Sequence, residues 1–318
     1  MSAQSSNRTS DRRRRRIRVA AIAAASVVLL VAGVAIYLDR IAPFRATVIS
    51  VDDARVSMRT FLRRTRIAGE DPMVMLDVLV DEEIIKQAAP YPPYGIDVTE
   101  SDIDEYLRSV AAAPNASIED AEFTAWYRRQ VNDSLMSERD FREFVGTRIL
   151  KMRFRDHLAE RVPTVAEQVR LFIAPFGDLD RAREARARIE SGEAFTDVVA
   201  DSSTDTDARQ SGGDLGWQAR RGLSPQIARV AFDRLQPGEV SDPYFTAEET
   251  FVLIMVADRV EARELDGPAR QRVQERSLEY WLDEEEENHS IEYHGFDGGA
   301  YDAATDAWVR WQLDRMAE

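Results

Sequence analysis

The run "VAAIAAASVVLLVAGVAIYL", Val19 to Leu38, holds twenty residues without a charge. A helix of that length rises about 30 Å, the thickness of a bilayer's hydrocarbon core. No other segment limits so strongly what the chain can become. Residues 1–18 before it carry Arg8, Arg12 to Arg16 and Arg18 against Asp11. Arginines on that flank hold the N-terminus in the cytoplasm and send the following chain across. A cleaved signal peptide is the rival reading, but its apolar core is usually shorter and ends at a small-x-small site. Here Tyr37-Leu38-Asp39-Arg40 follows instead. A buried soluble helix is the third reading, and five consecutive arginines beside it speak against it. The expectation is an uncleaved single-pass anchor over 19–38, a cytoplasmic tail over 1–18, and the bulk of the chain extracytoplasmic at the cell membrane.

The formal net charge is −15, yet the first 18 residues carry +6, so the remaining 300 carry −21. A body of that sign repels phosphates, and nucleic acid is not expected as a partner. Cysteine is absent, which removes disulfides, thiolate nucleophiles and zinc–cysteine sites. Only His157, His289 and His294 are available for imidazole chemistry, too few for most metal sites or Ser–His machinery. The run Asp283 to Asn288 near His289 and His294 reads as a solvated helix end, so no metal and no cofactor are expected.

Beyond the anchor, Ala46 to Val51 reads as a short strand, and Asp52 or Asp53 as the cap of a helix through about Ile67. Asp71-Pro72 is an N-cap and first-turn pair opening a helix that "PYPPYG", Pro90 to Gly95, ends. Thr99, with Asp102 three residues on, opens another. Two more fall at about 118–131 and 137–160. Residues 46–160 therefore predict a helical domain with one strand. After Val162-Pro163 the pattern changes to a strand (167–175), a charged helix ending at Gly192, a short helix (194–203), a glycine loop "GGDLGW", a short helix near Pro225 to Phe232, and strands 239–246 and 250–260. The last strand is nearly all apolar and belongs in the middle of a sheet. That order predicts a compact α+β domain. A helix over about 265–288 and a short amphipathic tail helix with Trp308 and Trp311 complete the chain. Those two tryptophans suit either a membrane surface or packing against the protein.

Residues 165–261 resemble the parvulin family of peptidyl-prolyl isomerases. The resemblance rests on "IESGEAFTDVVADSS", "GGDLGW", "AFDRLQPGEVSDPYFT" and "FVLIMV", which occur in family order and spacing. Residues 46–160 look like the helical N-terminal region of SurA- and PrsA-type foldases, through "LDVLVDEEIIKQAA", "GIDVTESDIDEYL" and "SERDFREFVGTRILKMRF". The resemblance implies an α+β fold overall: a SurA-like helical domain over 41–163 completed by 264–288, a parvulin-like domain over 164–261, and a tail over 289–318. It also implies that 264–288 packs back on helices between 70 and 160.

Prolyl isomerisation rotates an amide over a barrier of about 18–20 kcal/mol and breaks no covalent bond. A catalyst needs an apolar grip on the proline ring and polar groups that favour the twisted amide. By resemblance, Leu215, Leu223, Ile227 and Thr246 fall on the family's substrate-binding positions, and Asp205 on its cysteine-or-aspartate position, the catalytic candidate. The family's methionine and phenylalanine become Leu223 and Ile227. Its two histidines fall on Leu171 and Val252, which can neither donate nor accept a hydrogen bond. Each of these residues also has a plain structural use: the glycines in a tight turn, Leu215, Leu223 and Ile227 in a core, Asp205 in a solvated loop.

Two readings follow, an isomerase acting on unfolded, proline-containing exported chains and a holdase that binds them without catalysis. The residues at 171 and 252 favour holding. A structural envelope scaffold is the third possibility, and an apolar client groove would argue against it.

Overall fold

The computed structural model describes residues 37, 41–112, 117–246 and 250–317. The expected anchor over 19–38 lies outside these residues apart from Tyr37, and no described helix is long and apolar enough to cross a membrane. The fold mixes helix and sheet in two compact units. One comprises the described part of Met1–Ile84 with Leu107–Phe144 and His289–Glu318; the other comprises Ile85–Tyr106 and Val145–Asn288. These units cut across the expected segments: 264–288 goes with the parvulin-like residues, and the tail goes with the first unit.

The first unit is built on a three-stranded antiparallel sheet rather than a single strand. Strand β1 (Thr47–Val51) turns through Asp52, with φ at 53°, into β2 (Ala54–Ser57). Asp52 therefore makes a hairpin turn and does not cap a helix. Ser57 is the cap of helix Met58–Ala68, its hydroxyl accepting from the Thr60 amide at 3.2 Å. The third strand, Ile291–Tyr293, comes from the tail and pairs with the free edge of β1, Ser50 opposite Glu292. Helix Met58–Ala68 buries Met58, Phe61 and Leu62, and the opening part of helix Pro72–Ala88 adds Met75, Leu76 and Leu79 to the core. Arg64 reaches Glu82 with both guanidinium nitrogens, at 2.8 and 2.6 Å. Tail helix Ala303–Ala317 packs Trp308 between Phe44 and Phe296, at ring distances of 5.6 and 5.2 Å. Trp311, one turn on, is half exposed.

In the second unit the strands β3 (Val165–Phe176), β4 (Asp214–Ala219), β5 (Tyr244–Phe245) and β6 (Phe251–Glu264) form one antiparallel sheet in the order β4-β3-β6-β5. As expected from its apolar run, β6 is central. The glycine loop is partly strand: its glycines lower strand propensity, but pairing with β3 supplies the missing hydrogen bonds. The strand expected over 239–246 shrinks to Tyr244–Phe245 plus one bridge from Val240 to Met255.

Side chains alternate across the strands. One face of the sheet carries Phe172, Ala174, Phe176 and Leu253 against Phe195, Val198 and Val199. The other carries the cluster described below.

The helix expected over 265–288 is two, Gly267–Glu275 and Ser277–Glu285, broken at Arg276. The Ser277 hydroxyl donates to the Gln274 carbonyl at 2.8 Å, a local bond that competes with helix continuity. This helical pair packs against residues of its own unit between 90 and 160. Trp281 lies 4.5 Å from the Phe154 ring and donates to the Tyr94 hydroxyl at 2.7 Å, and Gln274 donates to the Ala159 carbonyl.

Candidate functional site

Leu171 and Val252 enter the second unit's sheet from adjacent strands. Alternation directs 169, 171 and 173 of β3 and 252, 254 and 256 of β6 to one face. There they form one buried cluster with Leu223, Ala228, Phe232 and Tyr280, and Ile227 and Tyr244 pack against it. Leu171 is fully buried and Val252 is 5% exposed. The structure thus brings together four residues that the sequence separates by as much as 81 positions, Leu171, Leu223, Ile227 and Val252.

Leu223 reaches this face just after a 3-10 turn, Arg220–Gly222, and Ile227 from a short helix, Pro225–Ala228, that continues as a π turn over Arg229–Arg234. The turn's last carbonyls are held by Arg259, which donates to those of Ala231, Phe232 and Leu235. Sequence reasoning missed Tyr280, which comes from helix Ser277–Glu285 and donates to the Arg220 carbonyl at 2.5 Å. Burial pushes its phenol up to about 12. Only the apolar face of "LEYWL" signalled it.

The glycines set the near wall. Gly213 has φ at 77°, and a Cβ there would stand 2.7 Å from the Ile173 carbonyl oxygen. Its own carbonyl accepts from the Ile173 amide at 2.9 Å. Only glycine lets β4 start this close to β3. Leu215 occupies the irregular step of the β3–β4 pairing and is 46% exposed, outside the buried cluster. The packing reading for it is therefore corrected: a side chain at that step has no layer to enter. Burial pushes the Asp214 carboxyl up, but Arg170 at 2.8 Å and the Gly216 amide outweigh it and hold the group below the ordinary carboxylate range.

Asp205 is a helix cap. Its carboxylate accepts from the Ala208 amide at 2.6 Å at the start of helix Thr206–Ser211, and the side chain is exposed. Its loop is fastened to the end of β3, since Ser203 and the Thr204 amide both donate to the Pro175 carbonyl, and Pro175 lies across from Val252. Thr246 follows β5, two residues beyond Tyr244 and on the same side of the strand. Its hydroxyl oxygen is buried and has no hydrogen-bond partner among the described residues.

The site is thus an apolar wall with one unengaged hydroxyl beside it. No imidazole stands in the cluster. Such a wall offers apolar contact but little that distinguishes a twisted amide from a planar one. Among the described residues no group of side chains has the makings of a metal site.

Residues 179–258 match the family model described as the PPIC-type PPIASE domain. The matched span contains Asp205, Leu215, Leu223, Ile227, Thr246 and Val252, and Leu171 precedes it. Among curated proteins the chain is similar to the foldase protein PrsA of Bacillus subtilis, 32% identical over 101 residues, covering 32% of this chain and 34% of that one. It is also similar to the chaperone SurA of Nitrosococcus oceani, 31% identical over 121 residues, covering 36% of this chain and 28% of that one. The match thus spans about a third of the length of these relatives. The crystal structure of the peptidylprolyl isomerase PrsA from Bacillus anthracis overlaps 76% of this chain and 97% of its own at 16% identity, with a TM-score of 0.38. Residues 179–258 thus carry a PPIC-type, parvulin-like domain, and the chain is similar to PrsA- and SurA-type foldases.

Proposed function

We propose that the protein is a membrane-anchored extracytoplasmic foldase that holds unfolded, proline-containing segments of exported proteins and isomerises their prolyl bonds slowly. The observation that carries this reading is the buried cluster of Leu171, Val252, Leu223 and Ile227. It keeps the apolar half of a prolyl-isomerase site and lacks the polar half. Binding substrate and transition state equally does not speed rotation, and each tenfold loss of rate corresponds to about 1.4 kcal/mol of transition-state stabilisation.

The names of its relatives, foldase and chaperone, support the client class. The arginine-flanked run Val19–Leu38 supports the anchor and an N-terminus in the cytoplasm. The net charge of −21 beyond residue 18 favours basic or neutral clients, with attraction that weakens as salt rises.

The test is a pair of assays on the full-length protein in nanodiscs: prolyl isomerisation of a short peptide, and suppression of aggregation of an unfolded client. Suppression together with slow isomerisation is expected. Catalysis as fast as that of a histidine-bearing parvulin overturns the argument from Leu171 and Val252. Failure to bind any unfolded client favours an envelope scaffold. Protease added outside intact spheroplasts tests the anchor, and protection of residues 46–318 overturns it.

A further inference from the structure

The first unit holds a cavity of about 460 Å³ that the foldase reading leaves unused, lined by Thr47, Ser50, Asp52, Arg55, Ser290, Glu292 and His294 among others. Its floor is the solvent-facing side of the three-stranded sheet. Ser50 is the centre of one rung, with Arg55 on β2 opposite it on one side and Glu292 on the tail strand opposite it on the other. Neighbouring strands lie about 4.8 Å apart, so the backbones of Arg55 and Glu292 are about 10 Å apart with a hydroxyl between them.

The charges at the two ends of that rung are available. Arg55 is exposed, and its side chain makes no ion pair or hydrogen bond among the described residues. The Glu292 side chain is 65% exposed and among the described residues meets only His294, at 3.5 Å. Asp52, by contrast, is engaged: it accepts from the Ser290 amide at 2.9 Å and from His289 at 2.6 Å. The Ser50 hydroxyl shares a 3.0 Å hydrogen bond with His294 Nε2.

Mixed sign decides the ligand. A bare polyanion such as phosphate gains Arg55 but meets both Asp52 and Glu292. A simple cation gains the two acids but meets Arg55. A ligand with an anion on one side and a hydrogen-bond donor a few ångströms away satisfies both ends of the rung at once. We propose that this cavity binds a carboxylate with an adjacent N–H donor, the chemistry of a peptide's C-terminal residue or a free amino acid. The carboxylate lies on Arg55, within reach of the Ser50 and Thr47 hydroxyls, and the N–H donates to Glu292.

The inference does not depend on the isomerase-like cluster, and its test reads a different event. The full-length protein in a non-ionic detergent is titrated with N-acetyl-alanyl-alanine, the same compound as its C-terminal amide, free alanine, and inorganic phosphate. Binding is followed by calorimetry. The acid is expected to bind at least tenfold more tightly than the amide. Arg55→Met is expected to remove that preference, and Glu292→Gln to weaken the acid severalfold. Both side chains are exposed, and circular dichroism of each variant verifies the fold. Alanine binding as tightly as the acetylated acid assigns the site to free amino acids, and weaker alanine binding assigns it to chain ends. Equal binding of acid and amide, wild-type affinity in the folded Arg55→Met variant, or phosphate binding as tight as the acid overturns the proposal.

Discussion

Leu171 lies directly across from Gly216 on the neighbouring strand. The fully buried residue at one of the two positions where the resemblance places a histidine therefore has no side chain opposite it on the β4 side, while Val256 faces it from β6. A side chain at 171 faces the cluster that Val252, Leu223 and Ile227 share. The double variant Leu171→His, Val252→His is expected to raise isomerase kcat/KM at least tenfold, about 1.4 kcal/mol of barrier. Each single variant is expected to gain less. Burying imidazoles without arranged partners is expected to cost about 1–3 kcal/mol each in a urea melt. A folded double variant with no gain in a protease-coupled assay shows that the two positions do not serve one site.

Gly213 and Gly216 share a positive φ but differ in what surrounds them. A Cβ at 213 meets the Ile173 carbonyl at 2.7 Å, and one at 216 meets nothing within 4 Å. Gly216→Ala is expected to cost only the conformational penalty, about 1 kcal/mol. Gly213→Ala adds a clash with backbone and is expected to cost more than about 2 kcal/mol. Thermal melts of the two variants side by side check the difference, and equal melting temperatures refute it.

The capping role of Asp205 separates shape from charge. Asp205→Ala is expected to lose about 1 kcal/mol, while Asp205→Asn keeps the acceptor and most of the stability. Prolyl isomerisation is expected to be the same in wild type and in Asp205→Asn. A large activity loss in that variant restores the carboxylate to a catalytic role.

In the first unit, Arg64 and Glu82 are paired with side-chain exposures of 11% and 10%. Removing one partner leaves a nearly buried charge alone, so Glu82→Leu is expected to destabilise by about 3–5 kcal/mol. The double variant Arg64→Met, Glu82→Leu is expected to recover most of that. Denaturant titration of both variants checks it, and additive losses overturn it.

Tyr280 gives a pH dependence with a definite sign. Burial raises its folded-state pKa to about 12, above the ordinary value of about 10. The unfolded chain thus releases the phenolic proton first as pH rises. The stability tied to the neutral phenol is complete below about pH 10 and is lost progressively between about pH 10 and 12. Tyr280→Phe removes this titration together with the hydrogen bond to the Arg220 carbonyl. It is expected to be about 1 kcal/mol less stable at pH 8 and to show a shallower loss above pH 10. An identical alkaline slope in both proteins excludes Tyr280 as the titrating group.

Much of the fold could be read residue by residue. Asp71-Pro72, Thr99 with Asp102, and Ser137 each announce a helix start. The structure shows the Asp71 carboxylate accepting from the Met73 amide, a reciprocal Thr99–Asp102 cap, and Ser137 accepting from Asp140. Capping signals are local, made within a few residues, and need no tertiary context. The same holds for the apolar run of β6, whose burial on both faces is written in its composition. The site was legible to the extent that alternation assigns a face, as for Leu171 and Val252 once the strands are known. It did not reveal that Leu215 sits at an irregular step, because a bulge is a property of two strands and not of one.

By itself the sequence determined a chain with a membrane-length apolar run, an acidic body, a set of helices with defined starts, and a glycine-punctuated domain whose resemblance to the parvulins puts Leu171 and Val252 at the family's histidine positions. Tertiary structure alone decided that the tail supplies a strand to the first sheet and that His294 meets Ser50, 244 positions away. Three residues, Ile291–Tyr293, have no strand tendency that outweighs their ordering entropy in isolation. They become a strand because β1 presents an unpaired edge whose amides and carbonyls must be satisfied, and the register of that pairing places Arg55, Ser50 and Glu292 on one rung.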